Sequence, residues 1–182
     1  MLQWIQNPDW RLLDGLRGLL SCSLLDALMP LITHLGDAGA IWILCGMALL
    51  ASKKYRKNGL WLLCGLAIGV LIGNVALKNW VARPRPCWLD PNVPLLIDLP
   101  KDYSFPSGHT LASVIGAMAL KRADRRFGYF AIPLAVLIAF SRLYLFVHFP
   151  SDVLFAALLG LTIGLIGQRI FNRLAAPGES AA

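Results

Sequence analysis

The chain has 182 residues, 57% of them hydrophobic and only 15% charged, against about a quarter charged in soluble domains. That balance excludes an ordinary soluble domain and points to one membrane-embedded domain over residues 1–182, without linker or appended module. The net charge of +7 falls between apolar runs rather than on a polar surface, so it reads as topology and contact with anionic lipid, with no nucleic-acid partner.

Nothing near Met1 reads as a cleavable signal, because Gln3, Asn7, Pro8 and Asp9 interrupt any apolar core and no basic segment precedes it. Asn7-Pro8 reads as a helix cap with proline at the first helical position, and Trp10, Leu12, Leu13, Leu16, Leu19 and Leu20 recur at helical spacing opposite Arg11, Asp14 and Arg17. Residues 1–20 are thus expected to form an amphipathic interfacial helix. Residues 22–35 are apolar but broken by Asp26 and Pro30, and shorter than the roughly 20 residues a span requires. They read as a surface or partly inserted helix, or as the outer part of a strained first span beginning near Leu16. Full spans are expected at about 38–52, 59–77, 108–120, 128–146 and 152–171. The fold class is all-α: a polytopic membrane helical bundle of five full transmembrane helices plus the N-terminal amphipathic or partly inserted helices, with six spans as the alternative. Cys22, Cys45, Cys64 and Cys87 lack Cys-x-x-Cys spacing and a neighbouring histidine, which argues against a zinc or redox site. Whether Cys22 and Cys87 pair is open.

Loop charges set the orientation. Lys53, Lys54, Arg56 and Lys57 share one loop, Lys121, Arg122, Arg125 and Arg126 another, and Arg169 and Arg173 lie near the C-terminus. All three groups belong inside by the positive-inside rule. The remaining connections then face outward and carry three clusters: Lys78, Arg83 and Arg85; Ser107, Gly108 and His109; and Arg142, His148 and Asp152. Ionisable groups at the ends of apolar segments cost free energy unless paired or functional, so each cluster marks a candidate site. The span opening at Gly108 runs only about 13 residues, roughly 20 Å at 1.5 Å per residue, short of a core of about 30 Å. Its start is expected in a notch sunk into the leaflet, suited to a substrate with a polar head and a tail in lipid. Residues 87–105 form the one long outer loop, a candidate rim or lid.

Pro84 and Pro86 end any helix, which puts the arginines on a stiff extended segment, and fixed guanidinium forks suit phosphate. Arg83 is open between phosphate contact and lipid head-group anchorage. Ser107 after Pro106 starts a helix whose free N–H groups suit an anion, and Ser107 also reads as its N-cap. Asp152 at a helix start can reach back to His148 and fix its tautomer, leaving the other ring nitrogen as acceptor or nucleophile. Metal binding is disfavoured because Lys78, Arg85 and Arg142 surround the histidines. His34 reads as an interfacial residue with no role.

Lys78-x6-Arg85-Pro86, Pro106-Ser107-Gly108-His109 and Ser141-Arg142-x5-His148-x3-Asp152 together resemble the three motifs of the type 2 phosphatidic acid phosphatase superfamily, in order and without departure at the defining positions. The resemblance covers about residues 22–171, the expected catalytic core. It implies a helical bundle and phosphoryl transfer through a phosphohistidine, without metal or other cofactor. By position it makes His148 the nucleophile, Asp152 its orienter and His109 the general acid, with Lys78, Arg85, Ser107, Gly108 and Arg142 binding phosphate. Its membrane members act on undecaprenyl diphosphate, phosphatidic acid, phosphatidylglycerophosphate and lipid A phosphates. A compact chain with an outward site most resembles small bacterial undecaprenyl-diphosphate phosphatases. A non-catalytic lipid-binding or transport protein on the same scaffold is the alternative of another class. The expected partners are a lipid phosphate substrate and the bilayer of the inner (plasma) membrane, with the site on the extracytoplasmic face; oligomeric state is open.

Overall fold

Apolar runs in lipid must satisfy their backbone groups internally, and helices do so segment by segment. In the computed structural model, which describes residues 3–175 and the side chains of residues 4–170, every regular element among the described residues is helical. The order is α1 (Gln3–Leu20), α2 (Ser23–Leu35), a 3-10 turn (Asp37–Gly39), α3 (Ala40–Ala51) and α4 (Arg56–Gly69). A π-helical stretch (Val70–Leu77) then leads into the short α5 (Lys78–Val81) and α6 (Pro86–Leu89), followed after a loop by α7 (Gly108–Ala123), α8 (Arg125–Tyr144) and α9 (Pro150–Ala175). The basic Arg173 and the N-terminal Met1 lie outside the residues whose side chains are described.

Three helical stretches are long and apolar enough to cross a membrane: Arg56–Leu89, Arg125–Tyr144 and Pro150–Ile170. The pair Ser23–Leu35 and Asp37–Ala51, bent by 43°, makes a fourth if it is one span. The expectation of five full spans is therefore met only in part. Ala38 and Gly39, both left-handed (φ 50 and 72), break the chain before α3, whose 12 residues are too few to cross alone. The 16 residues of α7 carry Lys121 and Arg122 in their last turn and reach only about 24 Å.

Helix α7 lies between α4, α8 and α9, and its Leu111, Ile115 and Ala119 are buried with Trp42, Leu62, Leu66 and Ile138. Trp42 satisfies its only polar group by donating Nε1–H to Ser113 Oγ at 3.1 Å, as a buried indole must. A second cluster, Leu13, Met29, Cys87, Leu145, Phe146, Val147 and Phe149, packs beneath the α8–α9 connection. α1 is docked there, with Leu13 buried and the Trp10 ring edge-on to Phe149 at 5.2 Å. Pro8 lies inside α1 rather than at its first position, because the helix already begins at Gln3. Outward-facing apolar residues such as Leu71, Phe130, Val136 and Leu158 suit contact with lipid. The four cysteines are free, with Cys22 exposed and Cys87 buried, so the pair left open by the sequence is not joined. At the end remote from the three clusters, Tyr55 Oη donates to Asp124 Oδ2 at 3.1 Å and ties the two basic loops together.

Candidate active site

The clusters arrive from separate elements at one place. The π-helical stretch widens the helix just before Lys78, a feature frequent at functional sites, and Ala82 (φ 46, left-handed) ends α5. Residues 82–85 lie outside any helix, and Arg85 is extended, at φ −80, ψ 155 before Pro86, as a residue preceding proline requires. α7 delivers Gly108 and His109 at its first turn, the end of α8 delivers Arg142, and the α8–α9 turn delivers His148. Lys78, Arg85, Gly108, His109, Arg142 and His148 line one cavity of about 980 Å³. Its apolar side is formed by Ile43, Leu63, Leu66, Val70, Leu111 and Ile115.

Ser107 and Asp152 are placed differently from the others. Ser107 is the N-cap of α7: fully buried, its Oγ accepts from Thr110 N at 3.4 Å and from Thr110 Oγ1 at 3.0 Å. Its side chain is therefore a structural cap beside the cavity rather than part of the lining. The direct His148–Asp152 hydrogen bond expected from the spacing is not made. Nδ1 and Oδ2 stand 3.7 Å apart, and Ser104 lies between them, donating to Asp152 Oδ2 at 2.5 Å with its Oγ 3.4 Å from His148 Nδ1. Asp152 Oδ2 also accepts from Phe149 N at 2.9 Å.

Arg85 fixes the state of His148. Its Nη1 donates to Val147 O at 2.7 Å and lies 3.0 Å from His148 Nε2. A guanidinium only donates, so Nε2 is the unprotonated nitrogen and Nδ1 carries the hydrogen toward Ser104 and Asp152. Burial pushes the His148 imidazole well below its ordinary range, with the charges of Arg85 and Arg142 acting in the same direction. His148 is accordingly neutral at pH 7, with a lone pair on Nε2.

The cations are already in contact with a carboxylate. Asp102, on the 87–105 loop, accepts from Lys78 Nζ and from Arg85 Nη2 at 2.7 Å, while its backbone carbonyl takes Arg85 Nε at 2.7 Å. Burial raises the Asp102 carboxyl, but the Lys78 hydrogen bond and the Arg85 charge outweigh it and hold the group at about 2. Any anion entering the cavity to reach these two cations must compete with that carboxylate. Arg142 donates to Thr33 Oγ1 at 2.5 Å. His109 Nε2 lies 2.9 Å from Asp37 Oδ1, and His34, expected to have no role, lines the same cavity and contacts Asp37 Oδ2 through Nδ1 at 2.7 Å. Gly108 is required by a close approach, since a Cβ there would stand 2.9 Å from Asn74 Oδ1.

Arg83 fits neither reading given to it by the sequence. It is buried, and it donates to Asp152 Oδ1 at 2.6 Å, Ser151 Oγ at 2.7 Å and Asp9 Oδ2 at 2.7 Å, with its guanidinium carbon 4.1 Å from the centre of the Phe149 ring. It is a buried tie between α1 and α9, not a lipid anchor or a cavity cation. Asp9, Asp37, Asp102 and Ser104 escaped the sequence reading. The one available signal was an acidic residue at a break between apolar runs, as at Asp37.

The family model described as PAP2 superfamily matches residues 58–175. The undecaprenyl-diphosphatase of Sulfolobus acidocaldarius is 36% identical over 132 residues, covering 71% of this chain and 63% of that relative, so the chain spans less than two thirds of its length. Undecaprenyl-diphosphatase BcrC of Bacillus subtilis is 31% identical, covering 84% of this chain and 78% of the relative. The crystal structure of a transmembrane PAP2 type phosphatidylglycerolphosphate phosphatase from Bacillus subtilis superposes with TM-score 0.76 at 26% identity, over 94% of this chain and 88% of that one.

Proposed function

Because this chain belongs to the PAP2 superfamily, we propose that it is an integral membrane lipid phosphatase working through a phosphohistidine on His148, with undecaprenyl diphosphate as its principal substrate. The observation that carries this reading is the unprotonated His148 Nε2, held by Arg85 in a cavity whose other side is apolar. The substrate phosphate displaces Asp102 from Lys78 and Arg85. Those cations and Arg142, with the backbone N–H groups at the start of α7, stabilise charge on the equatorial oxygens. Nε2 attacks phosphorus, the bond to the leaving oxygen breaks, and His109 supplies that oxygen's proton. Water then cleaves the phosphohistidine, with His109 as base. Asp152 acts on His148 through Ser104. Protein cations occupy the position a metal would take in other phosphoryl-transfer sites, so turnover is metal-independent.

Two relatives named undecaprenyl-diphosphatase support a prenyl diphosphate, while relatives named decaprenylphosphoryl-5-phosphoribose phosphatase and phosphatidylglycerophosphatase, and the structural neighbour, keep lipid phosphomonoesters as the second reading. Purified protein should release phosphate from undecaprenyl diphosphate faster than from phosphatidic acid, phosphatidylglycerophosphate or lipid A phosphate, and equally fast in EDTA. Loss in EDTA that magnesium restores would refute the metal-free mechanism, and no release from any lipid would leave only the lipid-binding alternative.

The loops tied by Tyr55 and Asp124 are basic and remote from the cavity, which supports an extracytoplasmic site in a plasma membrane, with the α2–α3 pair and α7 completing five membrane segments. With the exposed Cys22 and Cys64 removed, Asn92→Cys should react with an impermeant thiol reagent in intact cells and Lys53→Cys should not. The opposite pattern would place the site inside.

A further inference from the structure

We propose that Asp37 is the positioning carboxylate of His109, so that the site contains two aspartate–histidine pairs, one for the nucleophile and one for the acid. This inference rests on the reading of His109 as the leaving-group acid. Three observations carry it. Asp37 Oδ1 stands 2.9 Å from His109 Nε2, and its other oxygen is braced by His34 Nδ1 at 2.7 Å. The turn that presents Asp37 is held in an uncommon conformation, with the non-glycine Ala38 left-handed at φ 50, the kind of backbone outlier that clusters at functional sites. Gly36 leaves room for the histidine: a Cβ at that position would stand 2.8 Å from His109 Cδ2 and 3.0 Å from Ile138 Cγ2. His34, Gly36, Asp37 and His109 all line the cavity that contains His148.

A carboxylate can only accept, so Asp37 fixes the proton on Nε2 and makes Nδ1 the nitrogen that exchanges protons. When the bond between phosphorus and the leaving oxygen breaks and the His148 Nε2–phosphorus bond forms, the leaving oxygen takes the Nδ1 proton. His109 is left neutral with Nε2–H still on Asp37. Attack by water on the phosphohistidine then returns a proton to Nδ1. Asp37 Oδ1, 2.9 Å from Nε2, is the negative charge that faces the ring, while Arg85 and Arg142 line the same cavity.

The test compares Asp37→Asn, Asp37→Glu, His109→Ala and the Asp37→Asn/His109→Ala double variant at saturating substrate. The probes are short-chain phosphatidic acid, whose alkoxide needs a proton to leave, and p-nitrophenyl phosphate, whose leaving group does not. Asp37→Asn should lower kcat on phosphatidic acid about ten- to a hundredfold, the scale on which orienting partners act. KM should change little, the loss on p-nitrophenyl phosphate should be much smaller, and Asp37→Glu should recover part of the rate. In the His109→Ala background, Asn at position 37 should cost nothing further. Equal losses on both probes, a change in KM alone, or full additivity with His109→Ala would overturn the inference. If His109→Ala itself shows no dependence on the leaving group, the acid assignment fails and the role of Asp37 with it. If only Asp37→Asn lacks that dependence, the inference about Asp37 fails alone. Should Asp37→Asn not elute as folded protein, Gly36→Ala, which displaces the His109 ring, must give the same leaving-group pattern.

Discussion

Arg83→Ala should melt at a distinctly lower temperature than the unmodified protein and lose most of its turnover, although Arg83 does not line the cavity. The guanidinium donates to Asp9 and Asp152, both buried. Removing it leaves two buried carboxylates without a counter-charge, a change that costs about 3–5 kcal/mol when one partner of a buried ion pair is deleted. Asp9 keeps its bonds from Ser151 N at 2.9 Å and Ser151 Oγ at 2.5 Å, but neither supplies positive charge. Asp152 would then move or take up a proton, and with it the Ser104 link to His148 Nδ1. Arg83→Lys should recover only part of the loss, because a single ammonium lacks the planar fork whose two nitrogens reach Asp152 and Asp9 separately, and it packs less well over the Phe149 ring. Thermal unfolding in detergent and phosphate release check both halves. Unaltered melting and turnover in Arg83→Ala would show that the tie between α1 and α9 holds nothing that catalysis needs.

His148→Ala should have the largest effect on turnover of any single change, on the order of 10⁶-fold as for loss of a covalent nucleophile. It should also do so alike on monoesters and diphosphates. The reason is geometric: Nε2 is the unprotonated nitrogen because a guanidinium faces it at 3.0 Å, and burial keeps the ring neutral well below its ordinary range. The cations that remain would still bind phosphate, so binding should outlive catalysis. Measured release from each lipid phosphate, beside the affinity for inorganic phosphate, separates the two. Residual turnover within about a hundredfold of the unmodified protein would mean that water attacks phosphorus directly.

The parts of this molecule legible in the sequence are those that carry an energetic penalty. Lys78, Arg85, His109, Arg142 and His148 stand at the ends of apolar runs, where a charge or imidazole without purpose is costly, and all five line the same cavity. Loop charges likewise place the two basic loops at one end, where Tyr55 and Asp124 join. What the sequence hides are partners chosen by packing. Asp9 looks like one more polar residue of an amphipathic helix, yet it is 3% exposed and meets Arg83 across 74 residues of chain. Ser104 carries no charge and sits in a loop, so nothing marks it as the bridge between His148 and Asp152. The four-residue spacing of those two correctly brought them close, but a spacing cannot say whether a hydroxyl intervenes. Hydropathy does not register the left-handed turn at Ala38 and Gly39 that leaves α3 only 12 residues, whereas the shortness of the run opening at Gly108 is visible in its residue count.

Trapping the phosphoenzyme shows whether phosphate passes through His148. Protein mixed with radiolabelled lipid phosphate, quenched in alkali on the timescale of one turnover and digested for mass spectrometry, should carry label on His148. That label should be stable in base and lost in acid, and it should be absent from His148→Ala. Full phosphate release with no labelled protein at any quench time, or label on another residue such as Asp152, would rule out His148 as the nucleophile.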